Sequence, residues 1–187
     1  MQKNKAMFMA TMAIITTLSM ALLPSVYAYT IYHGQTTSWA WANSYAYSWR
    51  GNTQHHGWTN GDLWAKCDNA YANVEAYCKS PEVTAQGNGD DIMLYVYWHN
   101  GQKGLGLFVR QCEMQVKLYK NQNLVGVGHY GGSMSTGFTY FSFNVNVQAG
   151  DKLSAMIIMK SQAGNSWFNG YCHIGAVMDK IIFYTWT

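Results

Sequence analysis

Residues 141–155 read Phe141-Ser142-Phe143-Asn144-Val145-Asn146-Val147-Gln148-Ala149-Gly150-Asp151-Lys152-Leu153-Ser154-Ala155. Phe141, Phe143, Val145 and Val147 alternate with Ser142, Asn144 and Asn146. A period of two places the two sets on opposite faces, the pattern of a half-buried strand in an antiparallel sheet. Ala149-Gly150-Asp151-Lys152 then reads as a turn, and Leu153–Lys160 as the next strand, so the segment predicts a hairpin.

The same rhythm recurs on both sides of this segment. Strands are predicted over 36–49, 70–77, 91–98, 105–110, 113–120, 124–130, 138–147, 152–160, 170–178 and 180–186. Asn100-Gly101, Lys120–Asn123 and Gly131-Gly132 supply connections. About ten short strands and only 2 prolines predict an all-β chain, an antiparallel and jelly-roll-like β-sandwich. Segment 141–155 also resembles a hairpin of many extracellular jelly rolls, among them C1q-like domains, carbohydrate-binding modules and β-sandwich glutamic peptidases. The resemblance implies that architecture and carries no activity.

The chain starts with Lys3 and Lys5, then an apolar run from Met7 to Leu23, then Pro24 and Val26-Tyr27-Ala28. That order is a secretory signal peptide, residues 1–28, cut after Ala28. Residues 29–187 then read as a single β-sandwich domain, secreted or held at the cell surface. No second apolar run is long enough to span a membrane. After cleavage 10 basic residues face 9 acidic ones, with no Lys/Arg cluster, which argues against nucleic acid as a partner. Charged residues are 11% of the chain, against roughly 25% in an ordinary globular protein.

Aromatic residues fill part of that gap, with 14 Tyr and 8 Trp. Trp39, Trp41, Tyr45, Tyr47 and Trp49 share one parity, and Ala40, Ala42, Ser44, Ala46 and Ser48 the other. The five rings therefore share one face of a strand, with Asn43 as a candidate bulge. Alternation does not say whether that face meets solvent or core, and the small residues opposite tilt the reading toward the core. Residues 51–61 read as a polar loop carrying Asn52, Gln54, His55, His56, Trp58 and Gly61, with Asp62 just beyond.

Cys67, Cys78, Cys112 and Cys172 read as two disulfides in an exported chain, Cys67–Cys78 and Cys112–Cys172. No Cys-x-x-Cys pair points to a metal. His55-His56 with Asp62 and Asp68, and Asn88-Gly89-Asp90-Asp91, are read as solvated polar segments, so no metal or cofactor is expected. No Gly-x-Ser-x-Gly elbow is present, and none of His33, His55, His56, His99, His129 and His173 is marked as a base. Glu113 and Gln115 lie two apart on one strand, whereas a glutamic peptidase needs them on neighbouring strands.

The sequence is therefore read as a non-enzymatic binding protein. Carbohydrate is the expected partner, because sugar C–H faces stack on Trp and Tyr while hydroxyls pair with Asn, Gln and Asp. The expected site is Trp39, Trp41, Tyr45, Tyr47, Trp49 and Trp58 with Asn52, Gln54 and Asp62. The alternative is a self-assembling matrix, envelope or fibre subunit, with Tyr29–His33 as an arm adding a strand to a neighbour.

Overall fold

The computed structural model describes residues 30–186, so the expected signal peptide lies outside the described residues. Ten strands follow in order: β1 (Thr30–Thr36), β2 (Trp41–Gly57), β3 (Asp62–Lys79), β4 (Val83–Thr84), β5 (Gly89–Leu105), β6 (Val109–Lys120), β7 (Asn123–Tyr130), β8 (Gly137–Val147), β9 (Lys152–Ala163) and β10 (Gly170–Trp186). There is no helix among the described residues, hence none long and apolar enough to cross a membrane.

All pairings are antiparallel, in the order β7-β6-β9-β3-β10-β5-β8, with β2 on β3, β4 on β9 and β1 on β10. This continuous sheet closes over itself into two layers. β3 makes the join by changing partners: Asp62–Ala70 pair with β10, and Ala72–Lys79 pair with β9. Layer one is β7-β6-β9 with the second half of β3 and the first half of β2. Layer two is β8-β5-β10-β1 with the other halves. Between them lie Leu63, Val74, Leu94, Trp98, Met114, Leu118, Ile157, Met159, Ile174 and Phe183, all buried.

The β2–β3 ribbon is creased where the layers join. Asn69 takes a left-handed φ of 46° and Gly51 a φ of 80°. Gly51 must be glycine, because a Cβ there would collide with the Asn69 carbonyl. Beyond the crease the ribbon doubles back, so that Gly57 lies against the Asn43 carbonyl and His55 Nδ1 stands 2.9 Å from Ser44 Oγ. The bulges of β2 thus fall between Ser48 and Asn52, and Asn43 pairs in regular register with Tyr77.

Several expectations are corrected. Segment 141–155 contains the two strands and the turn, but not a hairpin: β8 pairs with β5, while β9 pairs with β3, β4 and β6. The turn carries the chain from one layer to the other. On the far side of β8, Phe141 and Phe143 press on Gly128 and Gly126 of β7, where a Cβ would strike the rings. Residues 51–57 continue β2 and are not a loop. Strands 170–178 and 180–186 are one strand, β10, with a register shift between Met178 and Lys180. β5 likewise runs through Asn100-Gly101, Asn100 taking a φ of 52°. The expected arm is tied down, since Thr30–Thr36 pair with β10 of the same chain.

All four cysteines are free thiols and buried. A Cys67–Cys78 bond does not fit this fold. The Cys67 thiol donates to the Ser161 carbonyl at 3.3 Å, and Ser161 stands four residues from Ile157, the register partner of Cys78. Four residues of strand span about 13 Å, beyond the roughly 7 Å Cα separation that a disulfide tolerates.

Candidate functional site

The ring row splits. Trp39 precedes β2 and is only 6% exposed, its Nε1 donating to the Met178 carbonyl at 3.3 Å. Trp41, Tyr45, Tyr47 and Trp49 face solvent from layer one, Tyr47 at 58% exposure. The direction that alternation left open is thus toward solvent for these four, against the slight tilt toward the core, and toward the core for Trp39. The small residues opposite them turn inward, and Ala42 and Ala46 pack on the core. They are small because the doubled-back ribbon leaves little room at this edge, as the His55–Ser44 contact shows.

Neighbouring strands complete the face. Trp49 stacks on Tyr71 with centroids 4.2 Å apart and planes 16° from parallel. Tyr47 meets Trp49 edge-on at 4.5 Å, and Trp41 leans on Tyr77 at 5.1 Å. The Arg110 guanidinium sits 5.1 Å from the Tyr71 ring centre and donates to Asn73 Oδ1 at 2.7 Å. Lys160 Nζ is 3.1 Å from Glu75 Oε1. Burial first, then the hydrogen bond and charge of Glu75, push the Tyr45 hydroxyl up to about 12. That phenol is a neutral donor at any ordinary pH.

Tyr71, Tyr77, Asn73 and Arg110 were absent from the sequence-based site. A signal existed for three of them: a strand over 70–77 puts Tyr71, Asn73 and Tyr77 on one face. At one end of the row Arg50 Nη2 donates to the Asn165 carbonyl at 2.8 Å, which ties the row to the loop holding Trp167, 82% exposed.

The crease separates the remaining candidates from the row. Outward parity switches across the bulges, so Gln54 and His56 pair with Lys66 and Trp64 on layer two. Asn52 pairs with Asp68 close to the crease. Trp58 stacks on His56 at 4.3 Å and 18°. His56 Nε2 stands 3.1 Å from Asp62 Oδ1, close enough for an ion pair but not aligned as a hydrogen bond. No group of three His, Cys, Asp or Glu among the described residues is placed to hold a metal. Glu113 meets Gln111 and His129 at 2.6 Å each, while Gln115 shares its strand.

Layer two has hollows of its own. An open cleft of about 710 Å³ lies between β5 and residues 131–135, lined in part by Gln102, Lys103, Ser133, Ser135 and His173. None of the aromatic candidates lines it. Burial, then the Lys66 charge, hold His173 below the usual histidine value, and Tyr171 Oη stands 2.8 Å from its Nδ1. A second groove of about 210 Å³ has an uncharged lining of Thr30, Met93, Tyr95, Tyr97, Tyr184 and Trp186.

No protein-family model and no curated protein sequence matches the chain. Among solved structures it is similar to the C-terminal CBM6 of LamC, a marine laminarinase from Zobellia galactanivorans, at 13% identity and TM-score 0.37, covering 83% of this chain and 98% of that one. A cyclase from Fischerella sp. TAU gives 8% identity and TM-score 0.39 over 83% and 98%. A family 35 carbohydrate binding module from Clostridium thermocellum gives 17% and 0.33 over 83% and 98%. Likeness this distant speaks to neither ligand nor activity.

Proposed function

We propose that the mature chain is a secreted, non-enzymatic binding protein that takes carbohydrate on the outer face of β2 and β3. One observation carries the reading: Trp41, Tyr45, Tyr47 and Trp49 stand exposed in a row, buttressed by Tyr71 and Tyr77. Rings already held by neighbours lose little freedom when a ligand stacks on them. Asn73, Arg110 and the Tyr45 hydroxyl offer polar partners beside the rings. The row is open along the strand, which suits an extended glycan more than a small enclosed ligand. Trp58, Gln54 and Asp62 fall outside this site, because the crease turns them to the other layer.

Affinity electrophoresis through gels containing different soluble polysaccharides tests the reading. Retardation by at least one, weakened in Trp49→Ala, is the expected result. Equal mobility in all of them would remove its support.

A second reading, assembly with copies of itself, draws on the aromatic patch of layer two, where Tyr32, Phe138 and Tyr140 are exposed. Light scattering on the mature protein separates the two: a monomer at all concentrations counts against assembly.

A further inference from the structure

Three of the four thiols meet at one place. Cys172 on β10 is the register partner of Cys67 on β3. Cys112 on β6 is the register partner of Ser161 on β9, in the facing layer. The Ser161 hydroxyl is 2.9 Å from Cys172 Sγ, and the Ser161 carbonyl accepts the Cys67 thiol. The Cys112 thiol donates to the carbonyl of His173, next along from Cys172, at 3.4 Å. Cys172 Sγ in turn stands 3.6 Å from the Gln111 carbonyl, next along from Cys112. Three sulfurs in one space can form a single bond.

We propose that Cys112 and Cys172 are an oxidation site: Cys112 reacts first with a small-molecule disulfide, and Cys172 then resolves the adduct to a Cys112–Cys172 bond across the layers. Cys67 stays a thiol beside that bond, and Cys78 takes no part.

Access and acidity set the order. Cys112 is 9% exposed, while Cys67, Cys78 and Cys172 are fully buried. The Cys172 hydrogen bond, and after it the Lys103 charge, hold the Cys112 thiol below its usual range against the opposing effect of burial. The thiols of Cys67, Cys78 and Cys172 are all pushed up. The thiolate is the nucleophile, so Cys112 is the entry point. Its sulfur attacks oxidised glutathione, the S–S bond breaks, and one glutathione leaves. Cys172 sulfur then attacks Cys112 Sγ, the mixed disulfide breaks, and the second glutathione leaves. Two protein thiols lose two electrons and two protons, and one glutathione disulfide becomes two glutathione thiols. Cys172 resolves the adduct because its sulfur lies against the Gln111 carbonyl on the strand of Cys112, while the Cys67 thiol is turned to the Ala72 and Ser161 carbonyls.

The test uses the folded mature chain incubated with oxidised glutathione, quenched in acid, alkylated and mapped by mass spectrometry. A linked Cys112–Cys172 peptide with Cys67 and Cys78 alkylated is expected. Cys172→Ser should retain glutathione on Cys112, and Cys67→Ser should leave the linked peptide unchanged. Circular dichroism checks that each variant is folded, and the wild-type map decides the matter if one is not. A Cys67–Cys172 peptide, any bond or adduct at Cys78, or four free thiols after prolonged exposure would overturn the proposal.

Discussion

The two outer faces of the sandwich are both aromatic, yet they are assembled differently. On layer one, β2 alone supplies four rings, β3 adds two, and charged side chains brace them: Arg110 over Tyr71, Lys160 against Glu75. On layer two, Tyr32 comes from β1, Tyr184 from β10, Tyr95 and Tyr97 from β5, and Phe138 and Tyr140 from β8. Those rings lean mainly on one another, Tyr95 touching Tyr140, Tyr184 and Phe138. The first arrangement is a line along one strand, backed by two rings of the next strand and by charged pairs. The second is a cluster drawn from four strands, in which Phe138 and Tyr140 are as exposed as the rings of the row. Exposure of aromatic surface is thus not by itself a binding signal, because both faces carry it; what differs is the order of the rings, a line on one face and a cluster on the other.

The largest expected effect separates Trp39 from the row it belongs to in sequence. Trp39→Ala should cost about 3–5 kcal/mol, as for other buried Trp truncations. Trp41→Ala should cost about 0.5 kcal/mol or less, the range of surface changes. Paired urea melts read both, and equal losses would mean that the split between core and surface is wrong.

Next comes the contrast between faces. Tyr95→Ala, in the layer-two patch, should destabilise by about 1–3 kcal/mol, because a half-buried ring is lost from its cluster. Polysaccharide retardation should stay the same. Trp49→Ala should do the opposite, weakening binding about tenfold, on the order of 1.4 kcal/mol, with little change in melting. If Tyr95→Ala abolishes retardation and Trp49→Ala does not, the binding face is the other one.

The smallest effect concerns pH. Burial holds His33 below the usual histidine value, and its neutral Nδ1 accepts the Gln86 amide at 3.0 Å. His173 is held down likewise. A histidine depressed in the folded state contributes stability that is complete above the unfolded value of about 6.5 and lost as pH falls through the folded value. The melting temperature should therefore drop as pH falls below about 6.5, and His33→Asn should flatten the decline. An unchanged slope would locate the acid sensitivity elsewhere.

Much of the layered all-β fold was legible in the chain. Phe141 and Phe143 turn inward as their alternation requires, and Lys120–Asn123 closes the β6–β7 hairpin through Asn121 and Gln122, at φ 50° and 68°. Partnership was not legible. The turn at Gly150 looks the same whether its strands pair with each other or cross between layers. Residues 51–57 looked like a loop because an edge strand folded at the surface is as polar as a loop. The direction of the aromatic row stayed open for a related reason. Ala42 and Ala46 are small because two parts of one ribbon approach each other there, a contact between residues far apart along the strand. The layer-two patch could not be seen in sequence, since each strand gives it only one or two rings.

The meeting of β7 with β8 has a consequence for slippage. β7 is an edge strand held in its layer by β6 alone, and such strands drift in register most easily. Here Gly126 and Gly128 are notches, and Phe143 and Phe141 are the pegs that enter them. A one-residue slide would bring Val125 or Val127 beneath a ring, where there is no room for a side chain. The facing layer thus keys the strand in place, much as a ward in a lock admits a single alignment. An extra methyl at either glycine would jam that alignment as well as the false ones.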